Sequence, residues 1–362
     1  MKRISLFLLL FLLLKATVMY SQDGHPETNF RIVPVSPNAA SLGTFGMIPT
    51  DNYVGQANLT IPIYEIDLDG KKFPIALSYH TDGTRVAQEA TWIGLGWTLQ
   101  AGGCVVRQVQ GTDDFAARGC YNLTDAPWLT NPRFEVTDQN LEKYMGYFKG
   151  DYDAEPDMFY FNAGGHSGSM YFDVLKNNRQ LNAVPTIQTQ EKVVKMVYNT
   201  SNKTWTMTDL EGYVYSFSTK EITYYFLNTI DFFQTDITRS HIFPYYNEPQ
   251  IVTAWMLDSV TSPNGGKITF SYKKESIFTP ISTTEDVISL SKIVNGQLSS
   301  QSPQYFTNKF NYNYSYSKIE QWTLSAITFE GGKVEFGTTD REDIESAETG
   351  KKVQKLSSIK VS

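Results

Sequence analysis

The stretch "WMLDSVTSPNGGKITFSY", Trp255 to Tyr272, reads as one β-hairpin. Trp255 and Leu257 alternate, and a β-branched Val260 follows three residues after Leu257. Pro263 to Gly266 supplies the turn, and Lys267, Ile268 and Phe270 open the returning strand. The pattern recurs in "WTLSAITFEGGKVEF", Trp322 to Phe336, and more loosely in "WTMTDLEGYVYSF", Trp205 to Phe217. A lone hairpin is marginally stable, whereas stacked neighbours bury a shared core. Trp255 and Trp322 are therefore expected to be structural anchors.

The last residues, "KLSSIKVS" (Lys355 to Ser362), repeat the Leu-x-x-Ile opening of the unit without its turn and returning strand. The expectation is a first strand with no partner. Its exposed N–H and C=O groups would recruit a downstream segment or a partner chain.

Outward from this region, alternation persists. "NLTIPIYEIDL" (Asn58 to Leu68) sets Leu59, Ile61 and Ile63 against Thr60, Pro62 and Tyr64. Asp69-Gly70 is a two-residue turn signal, and "FPIALSYH" (Phe73 to His80) returns. "CVVRQVQG" (Cys104 to Gly111) reads as a strand, and "DMFYFNAGGHSGSMYFDV" (Asp157 to Val174) as two aromatic strands about a glycine turn. Asp138 to Phe148 has the best helical periodicity, with Leu141, Tyr144, Met145 and Phe148 on one face. The 22 tyrosines and 22 phenylalanines suit pleated surfaces. The expected class is all-β with few short helices: antiparallel hairpin repeats in a sandwich or an open shell-like stack.

Lys2 and Arg3 precede the apolar run Ile4–Leu14, which suits a signal peptide ending near Ser21. That run is short of the about 20 residues needed to cross a bilayer, and no later stretch could cross as a helix. Export to the periplasm, the cell surface or the extracellular space follows. The formal charge of −7, without basic runs, argues against nucleic acid as a partner. The divisions expected are a signal peptide (1–21), an N-terminal β domain (22–120), an irregular or helical connector (121–156) and a hairpin-repeat region (157–362).

Two cysteines occur, Cys104 and Cys120. In an exported protein they could close a loop of about 15 residues, which contributes roughly 3 kcal/mol, or stay as separate thiols. "DYDAEPD" places Asp151, Asp153, Glu155 and Asp157 at alternate positions, a spacing able to present hard oxygens to Ca²⁺, though it lacks an EF-hand's glycine and distal glutamate. The competing reading is a solvated acidic turn. "GGHSGS" (Gly164 to Ser169) approaches a nucleophile elbow but ends in Ser169 and leads into a strand, so a turn is favoured over a hydrolase. The four histidines match no zinc spacing.

In "EATWIGLGWTLQAGG" (Glu89 to Gly103), Trp92 and Trp97 bracket Gly94 and Gly96. The glycines permit a tight bend and the indoles can seal it as buried plates. The rival reading is an aromatic platform for sugars. With "PNAASLGTFG" (Pro37 to Gly46), "NLTIPIYEI", "FPIALSYHTDGTRV" (Phe73 to Val86), "YDAEPDMFYFNAGG" (Tyr152 to Gly165) and "AWMLDSVTSPNGGKITFSY", this segment resembles the N-terminal region of secreted Rhs/YD-repeat proteins of the Bacteroidota type. The GLGW element is also similar to the start of the virulence-plasmid B protein domain and of the toxin-complex B component. The resemblance implies hairpin arrays coiled into a hollow shell. It also implies a non-catalytic, toxin-associated structural module, of which this chain resembles the opening section. The alternative is a secreted carbohydrate- or protein-binding module, with a hydrolase a distant third.

Overall fold

A computed structural model describes residues 35–44, 58–80, 88–111, 113–116, 119–122, 155–173, 182–188, 194–231, 250–279, 282–289, 293–294, 297–298 and 308–362, with a few single positions between them. The chain is all-β. Helix α1 (Pro37–Thr44) precedes β1 (Asn58–Leu68), β2 (Lys71–His80), β3 (Trp97–Gln100) and β4 (Gly103–Gln108). Then come β5 (Met158–Ala163), β6 (His166–Tyr171), β7 (Asn182–Ala183), β8 (Thr186–Ile187), β9 (Val194–Asn199) and β10 (Thr204–Asp209). The long strands follow: β11 (Val214–Asp231), β12 (Gln250–Thr261), β13 (Lys267–Phe278), β14 (Ser282–Ser289), β15 (Ile293–Val294), β16 (Gln297–Leu298), β17 (Asn308–Phe329), β18 (Gly332–Asp340) and β19 (Gln354–Val361).

β1, β2 and β3 form a three-stranded antiparallel sheet that packs on a 14-stranded sheet. The shared core sets Ile66, Leu68, Ile75 and Leu99 of the small sheet against Trp255, Leu257, Ile268 and Ile327 of the large one. At about 25 cal/mol per Å² of apolar surface, such side chains stabilise by roughly 1.5–3 kcal/mol each when fully buried. α1 covers the opposite face of β4 and β12, where Ala39 meets Cys104, Val106, Ala254 and Met256. Ser36 caps the helix through Ala39 N–H, and Pro37 begins it with a pre-set φ.

β4 pairs with both β12 and β5, so sheet pairing crosses the boundary expected at residue 120. The cause is legible in β4 itself, whose residues Gly103 to Arg107 are buried throughout. In β1 the simple alternation breaks at Pro62, which lacks a ladder donor. Ile63 bulges, and Tyr64 rather than Ile63 continues the face of Ile66, reaching Phe329 with ring centroids 6.0 Å apart. The expected helix Asp138–Phe148 lies mostly outside the described residues, and within it Leu141 and Met145 are exposed.

The hairpin unit has a mechanism. In β12, Phe217 pairs with Leu257 and Ser216 with Ser259, leaving Asp258 as an extra residue. In β17, Tyr272 pairs with Leu324 and Ser271 with Ala326, leaving Ser325 extra. In β19, Thr338 pairs with Leu356 and Gly337 with Ser358, leaving Ser357 extra. A spacing of three would put Leu and the β-branched residue on opposite faces of a regular strand. The bulge after each Leu restores both to the core side, where Leu257, Val260, Leu324 and Ile327 are buried and Leu356 and Ile359 pack against them.

The C-terminal strand differs from expectation. β19 is not unpaired: it runs antiparallel to β18 from Asp340↔Gln354 to Val334↔Val361, because β17, β18 and β19 form a meander. Among the described residues no strand pairs with its other side.

Candidate functional site

Three constellations carry the chain's polar and aromatic specialisation. The first is the glycine-framed bend at the foot of β3. Gly94 and Gly96 take φ of 146° and 75°, and Trp97 N–H closes the bend on Gly94 O at 3.2 Å. Thr91 Oγ1 accepts the N–H groups of Ile93 and Gly94 and donates to Trp97 O at 2.8 Å. Trp92 is buried, its ring edge-on to Phe336, and its backbone N–H donates to Asn38 Oδ1. Trp92 O accepts Leu356 N–H at 2.8 Å, so the bend is fastened to β19. Trp97, expected in the core, is only half-buried and lies on Tyr79 at 5.1 Å. The reason is its place at the start of an edge strand. Trp255 is fully buried and its indole N–H donates to Lys203 O, while Trp322 is half-buried and donates to Lys220 O.

The second is a rim where the turns after β1, β5, β10 and β12 converge, the last through Ser262 Oγ, which donates to Asp69. Lys71, beyond the Asp69-Gly70 turn, reaches Asp209 at 2.5 Å and Glu211 at 2.8 Å. Tyr215 O–H donates to Asp209 Oδ2, and His166 Nε2 stands 3.7 Å from the same oxygen. Tyr213 O–H donates to Leu68 O, and Gly164 leaves room for the Tyr215 hydroxyl, which an added Cβ would strike. Burial pushes Asp209 up, but Lys71, the Tyr213 N–H and the Tyr215 hydroxyl more than reverse this, holding its carboxyl below the usual range. The same carboxylate holds Lys71 above its ordinary range against its partial burial, and burial lifts Tyr215. Both therefore stay protonated near neutrality, and the cluster is a clamp. "GGHSGS" is the β5–β6 turn and the start of β6, with Gly164 and Gly165 at φ of 60° and 82°.

The third surrounds Arg107, which is 1% exposed. It stands two residues after Val105, on the core side of β4, so it must carry partners inward. Arg107 Nε donates to Asp157 Oδ2 at 2.8 Å, and its terminal nitrogen binds Asp157 and Asp113. Asp157 and Asp114 each accept the other's backbone N–H, at 3.1 and 2.9 Å.

The four acidic residues offered to Ca²⁺ fall as follows. Asp157 is spent on Arg107, Glu155 is exposed, Asp153 accepts Glu155 N–H in a local turn, and Asp151 lies outside the described residues. Among the described residues no group of three or more metal-ligating side chains could hold a metal ion. In the structure Cys104 and Cys120 are separate buried thiols, Cys104 facing α1 and Cys120 in a short 3₁₀ turn, Cys120–Asn122. Burial pushes both thiols up, which makes them inert. Arg107, Asp113, Asp114, Lys71 and Asp209 were not singled out in the sequence. The one available signal was an arginine at a core-facing position of an apolar strand.

No protein-family model matches the chain, and no curated protein matches it. Among solved structures, the crystal structure of TcdB2-TccC3-Cdc42 is similar over 83% of this chain and 12% of that one, at 12% identity and a TM-score of 0.30. The structure of the N-terminal domain of effector protein SpvB from Salmonella typhimurium strain LT2 is similar over 84% of this chain and 98% of that one, at 9% identity and a TM-score of 0.30. At such scores neither likeness carries fold or function over to this chain.

Proposed function

We propose that this chain is a non-catalytic structural module of an exported protein, the opening section of an Rhs/YD-repeat-like β shell, whose open edge at β19 receives a further strand. That strand would come from a downstream segment or a partner chain. The supporting observation is the β19 edge itself. Ser362 and Lys333 exchange both backbone hydrogen bonds, so by the alternation of an antiparallel ladder the N–H groups of Ile359 and Val361 point away from β18. Trp92 and Trp255 are buried and two indole N–H groups serve internal carbonyls, which favours packing over a sugar platform. Export is supported by Lys2, Arg3 and the run Ile4–Leu14.

The test uses Val361→Pro, which removes an outward donor and leaves the ladder to β18 intact. A synthetic peptide of the returning-strand sequence Gly332–Asp340 is titrated against wild type and variant. Binding to wild type that is lost in a variant of unchanged circular dichroism supports the reading. Equal binding to both, or none to wild type, overturns it.

A further inference from the structure

β1 runs on past the edge of the large sheet. It crosses that sheet at its turn ends: Asp69 accepts the Ser262 hydroxyl beside the β12–β13 turn, and Tyr64 meets Phe329 at the β17–β18 turn. β19 lies two strands beyond β17, roughly 10 Å at ordinary strand spacing. At about 3.4 Å per residue, Ile61 and Leu59 stand roughly 10 and 17 Å beyond Tyr64, level with β19 and past it. They are 40% and 52% exposed, and their ladder partners Leu77 and Tyr79 share the core-side face of Ile75. Trp97, on Tyr79 at 5.1 Å, continues this apolar underside. On β19, Val361 turns to the same side as Ile359 and is 41% exposed. The small sheet thus overhangs the outer side of β19.

The solvent face of β19 is basic. The bulge at Ser357 brings Lys355 and Lys360 to one face, and both are exposed. Lys360 stands opposite Glu335, which already binds Lys333 at 2.6 Å. Asp343, which feels the charge of Lys355, already binds Arg341 at 2.6 Å. Cations are therefore in excess along this edge.

We propose that the strand received at β19 is amphipathic and acidic: apolar residues opposite Ile359 and Val361, tucked beneath Ile61 and Leu59, and a carboxylate opposite Lys360. This rests on the reading of β19 as a receiving edge and adds the chemistry of what it receives. β18 meets the other side of β19 in the same way, with Phe336 opposite Ile359, Glu335 opposite Lys360 and Val334 opposite Val361. Directly opposite residues share a face of the sheet, so an apolar–acidic–apolar triplet suits both faces at once. Lysines on an edge repel strands at large, and a carboxylate in register converts that repulsion into selection.

The peptide Gly332–Asp340 carries this triplet, and two altered versions of it, Glu335→Lys and Val334→Ser with Phe336→Ser, are titrated beside it against the full chain. Each altered peptide is expected to bind about tenfold more weakly than the original. Lys360→Glu in the protein should reverse the order of the original and the Glu335→Lys peptide. Leu59→Ser with Ile61→Ser in the protein, its fold checked by circular dichroism, should weaken the original peptide about fivefold and leave the serine peptide nearly unchanged. Equal binding of all three peptides to wild type, lost in Val361→Pro, would overturn the amphipathic strand and leave the receiving edge standing. Binding of none would overturn both. A Lys360→Glu protein that still prefers the original peptide would overturn the carboxylate opposite Lys360.

Discussion

The Trp92 carbonyl accepts the Leu356 N–H at 2.8 Å, which binds the glycine-framed bend to the outer edge of the last strand. Trp92→Ala removes a buried ring packed on Phe336 and should cost about 3–5 kcal/mol. Trp97→Ala, at a half-buried site, should cost less, about 1–3 kcal/mol. Chemical denaturation of the two variants checks the order. If Trp97→Ala proves the more damaging, the seal lies on the Tyr79 side of the bend.

Gly103 opens β4 where a side chain has no space. A Cβ there would collide with the Asn162 carbonyl and stand 2.7 Å from the Ala163 Cβ. Gly103→Ala should destabilise by about 1–3 kcal/mol through displacement of the β4–β5 ladder. Hydrogen exchange should localise the loss to Cys104–Arg107 and Phe159–Ala163.

Arg107→Met strands Asp157 and Asp113 in a site with no other cation from the cluster. Removing one partner of a buried pair costs about 3–5 kcal/mol. The double variant Arg107→Met with Asp157→Asn should recover part of it, and thermal melts of the single and double variants measure the recovery.

Acid should loosen the turn rim. The Asp209 carboxyl sits below its ordinary range, so its contribution is complete above the unfolded carboxyl pKa of about 4 and is lost as pH falls through the lower folded value. Asp209→Asn should be less stable than wild type at neutral pH and should lose less further stability between about pH 4 and 2. Denaturation midpoints across that interval decide it.

The hairpins were legible because turn chemistry and alternation agree, as at Asp69-Gly70, where Asp69 adopts φ 51° and Gly70 92°. The spacing of three in Leu257–Val260, Leu324–Ile327 and Leu356–Ile359 was visible too, but its cause, a bulge, depends on the partner strand and needed the register. Position-by-position alternation misplaced Ile63 for the same reason. The polar clusters were hidden by distance along the chain: Lys71 with Asp209, and Glu221 with the Ser36 N–H at 2.7 Å, join segments that no local pattern connects. The alternation at Asp151–Asp157 gave no sign that its most buried member, Asp157, pairs with Arg107 of β4.

The peg formed by Trp92 also sets a phase. With the Leu356 N–H already taken and Ser357 bulged, a strand arriving at this edge finds its first free donor at Ile359. A slip of one residue would turn every side chain of the newcomer to the wrong face. On the proposed reading, a strand added at this edge would be aligned by the Trp92 carbonyl before any of its own side chains is read.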